Sequence, residues 1–207
     1  MKKISLSLYV CLLSLCAFAQ QGMPDGENKN AKRESREGHS GAYFNLSTGI
    51  NNNGGAIGLG LEVPVAKQVS VEAGVGEGTW GYKMYACGKY YLAPNLKGWA
   101  FGPGITYSTG GSDFTTNLET IHATSEKVTM HLDPMTNIFV SAYRNWRLGR
   151  NYNRFYLQLG WSVALSTPEF YQTVGYPITN NSVKVMKFIA PGGLIAAVGF
   201  SFGGKKK

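Results

Sequence analysis

The chain has 207 residues, 27 of them glycine, with aromatics at 13% and Asp, Glu, Lys and Arg together at only 15%. That is a strand-and-turn composition rather than a helical one, and the length suits a single domain. The formal charge of +8 sits mostly at the ends and in one turn, so there is no basic groove with interleaved aromatics and no case for a nucleic-acid partner.

Residues 1–19 read as a secretory leader. Lys2 and Lys3 give the positive start, an apolar run follows, and Ala17, Phe18 and Ala19 form a small-x-small cleavage site. The run is too short and wrongly flanked for a membrane helix. Lipoprotein processing at Cys16 is the rival, but Leu15 is bulky where that peptidase needs a small residue. Losing Lys2 and Lys3 takes the charge from +8 to +6, and Lys205, Lys206 and Lys207 supply three of those six. Cys11 and Cys16 leave with the leader, so Cys87 stands alone and no intrachain disulfide can form. Residues 20–40 are polar, mixed in charge and without apolar periodicity, as expected of a disordered linker.

Order is expected from Gly41. Phe44, Leu46, Thr48 and Ile50 alternate with Asn45, Ser47 and Gly49, and residues 51–55 carry turn chemistry. Ile57, Leu59, Leu61 and Val63 then alternate with Gly58, Gly60 and Glu62. Val69, Val71, Ala73 and Val75 alternate with Ser70, Glu72, Gly74 and Gly76. A fourth strand over residues 82–92 sets Tyr82, Met84, Tyr90 and Leu92 against Lys83, Tyr85, Cys87 and Lys89. A fifth sets Trp99, Phe101, Ile105 and Tyr107 against Ala100, Gly102, Gly104 and Thr106. Residues 108–127 read as a long polar loop. The sixth strand, with Ile138, Val140 and Ala142 outward, can be read back in one phase to Val128. The seventh sets Phe155, Leu157, Leu159, Trp161, Val163 and Leu165 against Tyr156, Gln158, Gly160, Ser162 and Ala164. The last sets Leu194, Ala196, Val198, Phe200 and Phe202 against Ile195, Ala197, Gly199 and Ser201.

Eight amphipathic strands, most about ten residues long, are the length a tilted strand needs to cross a bilayer. The longest connections, residues 108–127 and 166–193, fall on one side, as do the long outer loops of outer-membrane barrels; both termini then lie on the periplasmic side. Aromatics near strand ends, among them Tyr82, Tyr90, Trp99, Tyr107, Phe155 and Phe202, suit a membrane interface, while Trp161 departs from that pattern. The expected fold is an all-β, eight-stranded antiparallel up-and-down transmembrane barrel over residues 41–202, followed by a basic tail, 203–207. Ten strands is the alternative.

Over residues 41–202 the chain resembles the small eight-stranded outer-membrane barrels of the OmpA-transmembrane and OmpX type, as an architecture rather than a shared motif. Those families end on an aromatic residue read by the assembly machinery, which Phe200, Ser201 and Phe202 match. The resemblance implies an outer-membrane location, contact with its lipids and insertion by the barrel-assembly machinery. A peptidoglycan-binding domain is not expected after residue 202, so that part of OmpA-type function is not carried over.

Glu62, Glu72, Lys83 and Lys89 all take the lumen phase. Folding the strands about their turns places Glu62 and Glu72 near Lys89, so a paired network is expected, because an unpaired charge in a narrow lumen is costly. An ionic plug is favoured over a selective pore, since eight strands leave room only for side chains. Cys87, beside Glu72, reads as inert. Catalytic material is thin: His39 is in the linker, while His122, His131 and Asp133 lie in or beside the long loop, with no serine singled out and too few ligands for a metal. No cofactor is implied. Arg144, Arg147, Arg150 and Arg154 are assigned to a solvated periplasmic turn. Residues 170–176 and 182–189 are read as an outer hairpin carrying Tyr171, Tyr176, Lys184 and Lys187, able to pair with an extracellular partner's strand. The function expected is a non-enzymatic barrel acting in surface interaction or envelope integrity. The alternatives are a lipid-modifying barrel enzyme and a secreted lipocalin-like binding barrel.

Overall fold

A computed structural model describes residues 41–148 and 152–204. The leader, the linker, His39, Arg150 and the terminal lysines lie outside them. Among the described residues the strands are β1 (Tyr43–Ile50), β2 (Ile57–Ala66), β3 (Val69–Gly78), β4 (Gly81–Tyr91), β5 (Gly98–Ser108), β6 (Gly111–Leu118), β7 (Glu126–Leu132), β8 (Met135–Arg147), β9 (Arg154–Ala164), β10 (Phe170–Val174) and β11 (Gly193–Gly203). One α-helix, α1, covers Asn180–Ile189.

Eight of these strands close an antiparallel barrel in the order β1-β11-β9-β8-β5-β4-β3-β2. The seam joins β1 to β11, from Tyr43 opposite Gly203 to Ile50 opposite Ala196, which brings both ends of the described chain to one rim. Among the described residues that rim carries short connections. The opposite rim carries the two long connections, and these are folded.

The barrel is polar inside and apolar outside. Along β1 the inward residues Tyr43, Asn45 and Ser47 are buried, while Phe44 and Leu46 are exposed; along β2 the buried Glu62 alternates with the exposed Leu61. The same alternation runs through β4, β5, β8, β9 and β11. Glycine on the inward phase makes room for large neighbours. A Cβ on Gly60 would lie 2.3 Å from the Tyr85 hydroxyl, and one on Gly74 would lie 2.5 Å from the Tyr85 ring. Both are closer than packed atoms approach, so Tyr85 can lie across β2 and β3 only because these positions lack side chains.

The long connections depart from the expected loop and hairpin. Residues 108–127 are not a loop throughout: β6 and β7 form a hairpin there, and β10 pairs with the other edge of β7 in a separate three-stranded sheet. The sixth wall strand therefore does not run back to Val128. The chain breaks at Asp133 and Pro134, and Val128, Met130 and Leu132 are buried beneath the cap rather than facing outward.

The expected surface hairpin does not form. Tyr171 lies on β10, stacked on His131 with ring centroids 4.8 Å apart, and Tyr176 sits in the following connection, edge-on to His122 at 4.4 Å. Lys184 and Lys187 lie on α1, because residues 180–189 are helical. The Thr179 hydroxyl caps the helix by accepting from the Ser182 N–H, and Ser182, Val183, Met186 and Ile189 recur at helical spacing on the inner face. Met186 and Ala190 pack with Trp80, Leu118, Val128, Met130, Leu132 and Met135 into a core over the rim. Thr179 also donates to the Glu119 carboxylate at 3.1 Å, and Ser182 to the Glu119 carbonyl at 2.9 Å, clasping α1 to the end of the β6 segment. Trp80 Nε1 donates to the Asp133 carbonyl at 2.8 Å, tying the cap to the β3–β4 turn. With β10 and α1 outside the wall, the barrel has eight strands, not ten.

Candidate functional site

The charged cluster lies in the lumen toward the short-turn rim. Glu62 projects inward from β2, Glu72 from β3 and Lys89 from β4, and the ladders β2–β3 and β3–β4 set them side by side. Lys89 Nζ lies 3.2 Å from Glu62 Oε2 and also contacts Glu72 Oε2. Glu62 is saturated: Ser70 donates to Oε1 at 2.7 Å and Tyr91 at 2.6 Å, while Arg154 Nη2 reaches Oε2 at 2.9 Å. Tyr85 donates to Glu72 Oε1 at 2.6 Å. The ammonium of Lys89 also stands 4.5 Å from the centroid of the Tyr143 ring, a cation–π distance. Two carboxylates thus meet two cations in a buried, hydrogen-bonded and charge-balanced layer, the condition under which buried ions are tolerated.

Arg154 is the member that the sequence reading misplaced. Grouped with Arg144, Arg147 and Arg150 in a solvated turn, it is instead 3% exposed, on the same inward phase as Tyr156 and Gln158, with its guanidinium 3.8 Å from the Tyr43 ring centroid. The two-residue period of β9, run back one further step, places it in the lumen. Arg144 faces outward between Trp99 and Trp146, at 5.5 Å and 5.7 Å, and Arg147 lies 5.0 Å from the Tyr152 ring.

Lys83 shares the lumen phase but not the network. It lies near the capped rim and donates to Asn51 Oδ1 at 3.2 Å and to the Asn52 carbonyl at 2.9 Å. The turn it holds, residues 51–56, is folded down into the barrel mouth: Asn52 donates to Ser47 at 2.9 Å and Asn53 to the Tyr143 hydroxyl at 3.3 Å, both buried. Gly58 and Gly76 leave space for it, since a Cβ on either would fall within 3 Å of Gly54. At the other rim the 3-10 turn Pro94–Leu96 places Leu96 against Tyr43, Tyr91, Tyr143 and Tyr156, with no exposed surface. Between the two closures lie Cys87, Phe139 and Ile195. Cys87 is a buried free thiol.

Gly74→Ala should therefore shift Tyr85 away from Glu72 and cost about 1–3 kcal/mol through overpacking. Urea unfolding followed by tryptophan fluorescence measures this, and an unchanged midpoint would contradict the packing described.

Outside the lumen, His131 Nε2 lies 3.4 Å from Asp133 Oδ1, both partly exposed. Among the described residues no three His, Cys, Asp or Glu side chains gather as a metal site would require. No family model matches the chain, and no curated protein or solved structure matches it.

Proposed function

We propose that this protein is a membrane-spanning barrel of a Gram-negative outer membrane, with a lumen closed by its own side chains and a folded cap displayed on the outer side. The observation that carries the reading is the inverted polarity of the wall. Ile50, Leu61, Val75, Val140, Val163 and Leu194, from six of the eight strands, are each more than half exposed, while ions and amides are buried inside. A water-soluble monomer rarely exposes a contiguous apolar patch beyond a few hundred Å². A lipocalin-like barrel would have the reverse arrangement.

Three features agree with this reading. The leader-like segment would send the chain out of the cytoplasm. Among the described residues no helix is long and apolar enough to cross a membrane, and the wall strands, 8 to 13 residues long, have about the length a tilted strand needs to do so. Aromatic side chains ring the wall near its ends: Trp99, Tyr90 and Phe202 toward the short-turn rim, Tyr82 and Tyr107 toward the capped rim. In this orientation both ends of the barrel chain are periplasmic, and insertion would fall to the barrel-assembly machinery.

The role proposed is non-enzymatic. The buried ion layer is a structural plug, because its charges satisfy one another and both rims are closed around it. The cap presents the outer edges of β6 and β10 to any extracellular partner, and the protein would act in surface interaction or envelope integrity. Cell fractionation with a heat-modifiability gel tests the reading: a protein in the outer-membrane fraction whose mobility shifts only on boiling supports it. Recovery in the soluble periplasm would refute it.

A further inference from the structure

The wall is notched at its seam. β1 leaves the ladder after Ile50, which pairs with Ala196, but β11 continues to Gly193 with only β9 beside it, Leu194 opposite Trp161. Asn51, with φ at 48°, turns the chain inward at that point. Residues 193–195 thus have no β1 partner, and a cavity of about 780 Å³ opens there, a volume within the roughly 300–1,000 Å³ range of small-ligand sites.

The cavity joins two environments. Its outer arm is lined by Ile50, Trp161, Leu194 and Phe188 of α1, all outward-facing and apolar. Its inner end is lined by Lys83 and Asn51. Lys83 is 5% exposed, and the structure gives its ammonium only neutral oxygens: the Asn51 side chain and the Asn52 carbonyl. Among the described residues no carboxylate lies within salt-bridge distance of it, in contrast to Lys89 and Arg154. The Asn51 Nδ2 group beside it is buried and has no hydrogen-bond partner. Lys187 stands at the rim of the same cavity. A buried cation and a buried unpaired donor at the inner end of an apolar slot are complementary to one kind of molecule.

We propose that this notch binds an acyl-chain amphiphile with an anionic head, the carboxylate or phosphate accepting hydrogen bonds from Lys83 Nζ and Asn51 Nδ2 and the chain lying along Ile50, Trp161, Leu194 and Phe188. The proposal rests on the membrane reading only for the source of the ligand, since the chain would enter sideways from a bilayer. Trp161, out of place in an interfacial aromatic ring, has a use here as the floor of the slot.

The test uses the protein folded in nanodiscs, with palmitate, a palmitoyl lysophosphatidate and the uncharged alcohol of the same chain length as probes, binding being read from tryptophan fluorescence. Either anion should bind at least about tenfold more tightly than the alcohol, the least expected of a charge-assisted hydrogen bond. Tighter binding of palmitate assigns a carboxylate head, and tighter binding of the lysophosphatidate a phosphate head. Lys83→Met should abolish the preference, bringing both anions to the affinity of the alcohol for the same variant, whereas Ile50→Trp, which fills the slot, should weaken all three. Equal affinity for acid and alcohol, or unchanged palmitate binding by a Lys83→Met protein that keeps its heat-modifiable mobility, overturns the proposal. Liposome flotation of the same proteins reads the membrane assignment separately. A barrel that fails to float yet still prefers the anions keeps the site and loses the membrane.

Discussion

Replacing Lys89 with methionine should lower the stability of the folded barrel by about 3–5 kcal/mol, the usual cost of breaking a buried ion pair from one side. The reason lies in how the cations are shared. Glu62 keeps Arg154 when Lys89 is lost, but the only cation paired with Glu72 among the described residues is Lys89. The substitution strands one carboxylate inside the barrel, held, among the described residues, by the Tyr85 hydroxyl alone. Adding Glu72→Gln should restore much of the loss, because the amide still accepts from Tyr85 and carries no charge. Denaturant titration of the folded protein measures both variants. A double variant less stable than the single would mean that the charge on Glu72 is not what the lysine compensates.

Leu159→Arg should cost about 2–4 kcal/mol if the wall faces lipid, the penalty for an arginine at the bilayer midplane on a barrel exterior. Leu159 is central in β9, between Ala142 and Ala196 on the neighbouring strands, and points outward with nothing over it. In water the same substitution at an exposed position changes stability by no more than about 0.5 kcal/mol. The two environments therefore predict different outcomes for one change. Equilibrium refolding into vesicles supplies the measurement, and a Leu159→Arg protein that inserts as well as the parent would count against a lipid-facing wall. Gln158→Arg, one residue away, makes the control: Gln158 is buried inward with Nε2 donating to Ser141 at 2.9 Å, so its cost comes from crowding the lumen in either environment.

The wall was legible because its strands have two unlike faces, and a period of two records that difference directly. Strands β1, β3 to β5, β9 and β11 lie within a residue or two of the expected runs, and β2 continues three residues past Val63, to Ala66. The same signal misled at Val128, Met130 and Leu132. Alternation shows that a strand has a buried side, not which sheet it belongs to, and these residues face the cap core in phase with the wall that follows. At residues 182–189 β-prone side chains outweighed a helical cap. Thr179 and the recurrence of Ser182, Met186 and Ile189 were present in the sequence, but Val183, Val185 and Ile189 favour strands unless a tertiary surface takes up one helical face. Within the lumen, Glu62, Glu72 and Lys89 followed from strand phase and turn folding. The separation of Lys83 from them did not, because it depends on residues 51–56 folding into the barrel mouth, and turn chemistry carries no information about direction.

The β1–β11 seam bears on how the molecule can be made. Every other ladder in the wall joins strands that follow one another along the barrel, whereas this one joins the first strand to the last, Tyr43 to Gly203. Pairing at such separation is intrinsically slow. Until the 11 residues of β11 arrive, the nascent sheet carries two bare edges, β1 on one side and β9 on the other, each bordered by greasy outward side chains. Such edges are templates for strands of a second copy. Any factor that escorted this chain would therefore have to shield hydrogen-bonding edges as well as apolar surface until β11 docks.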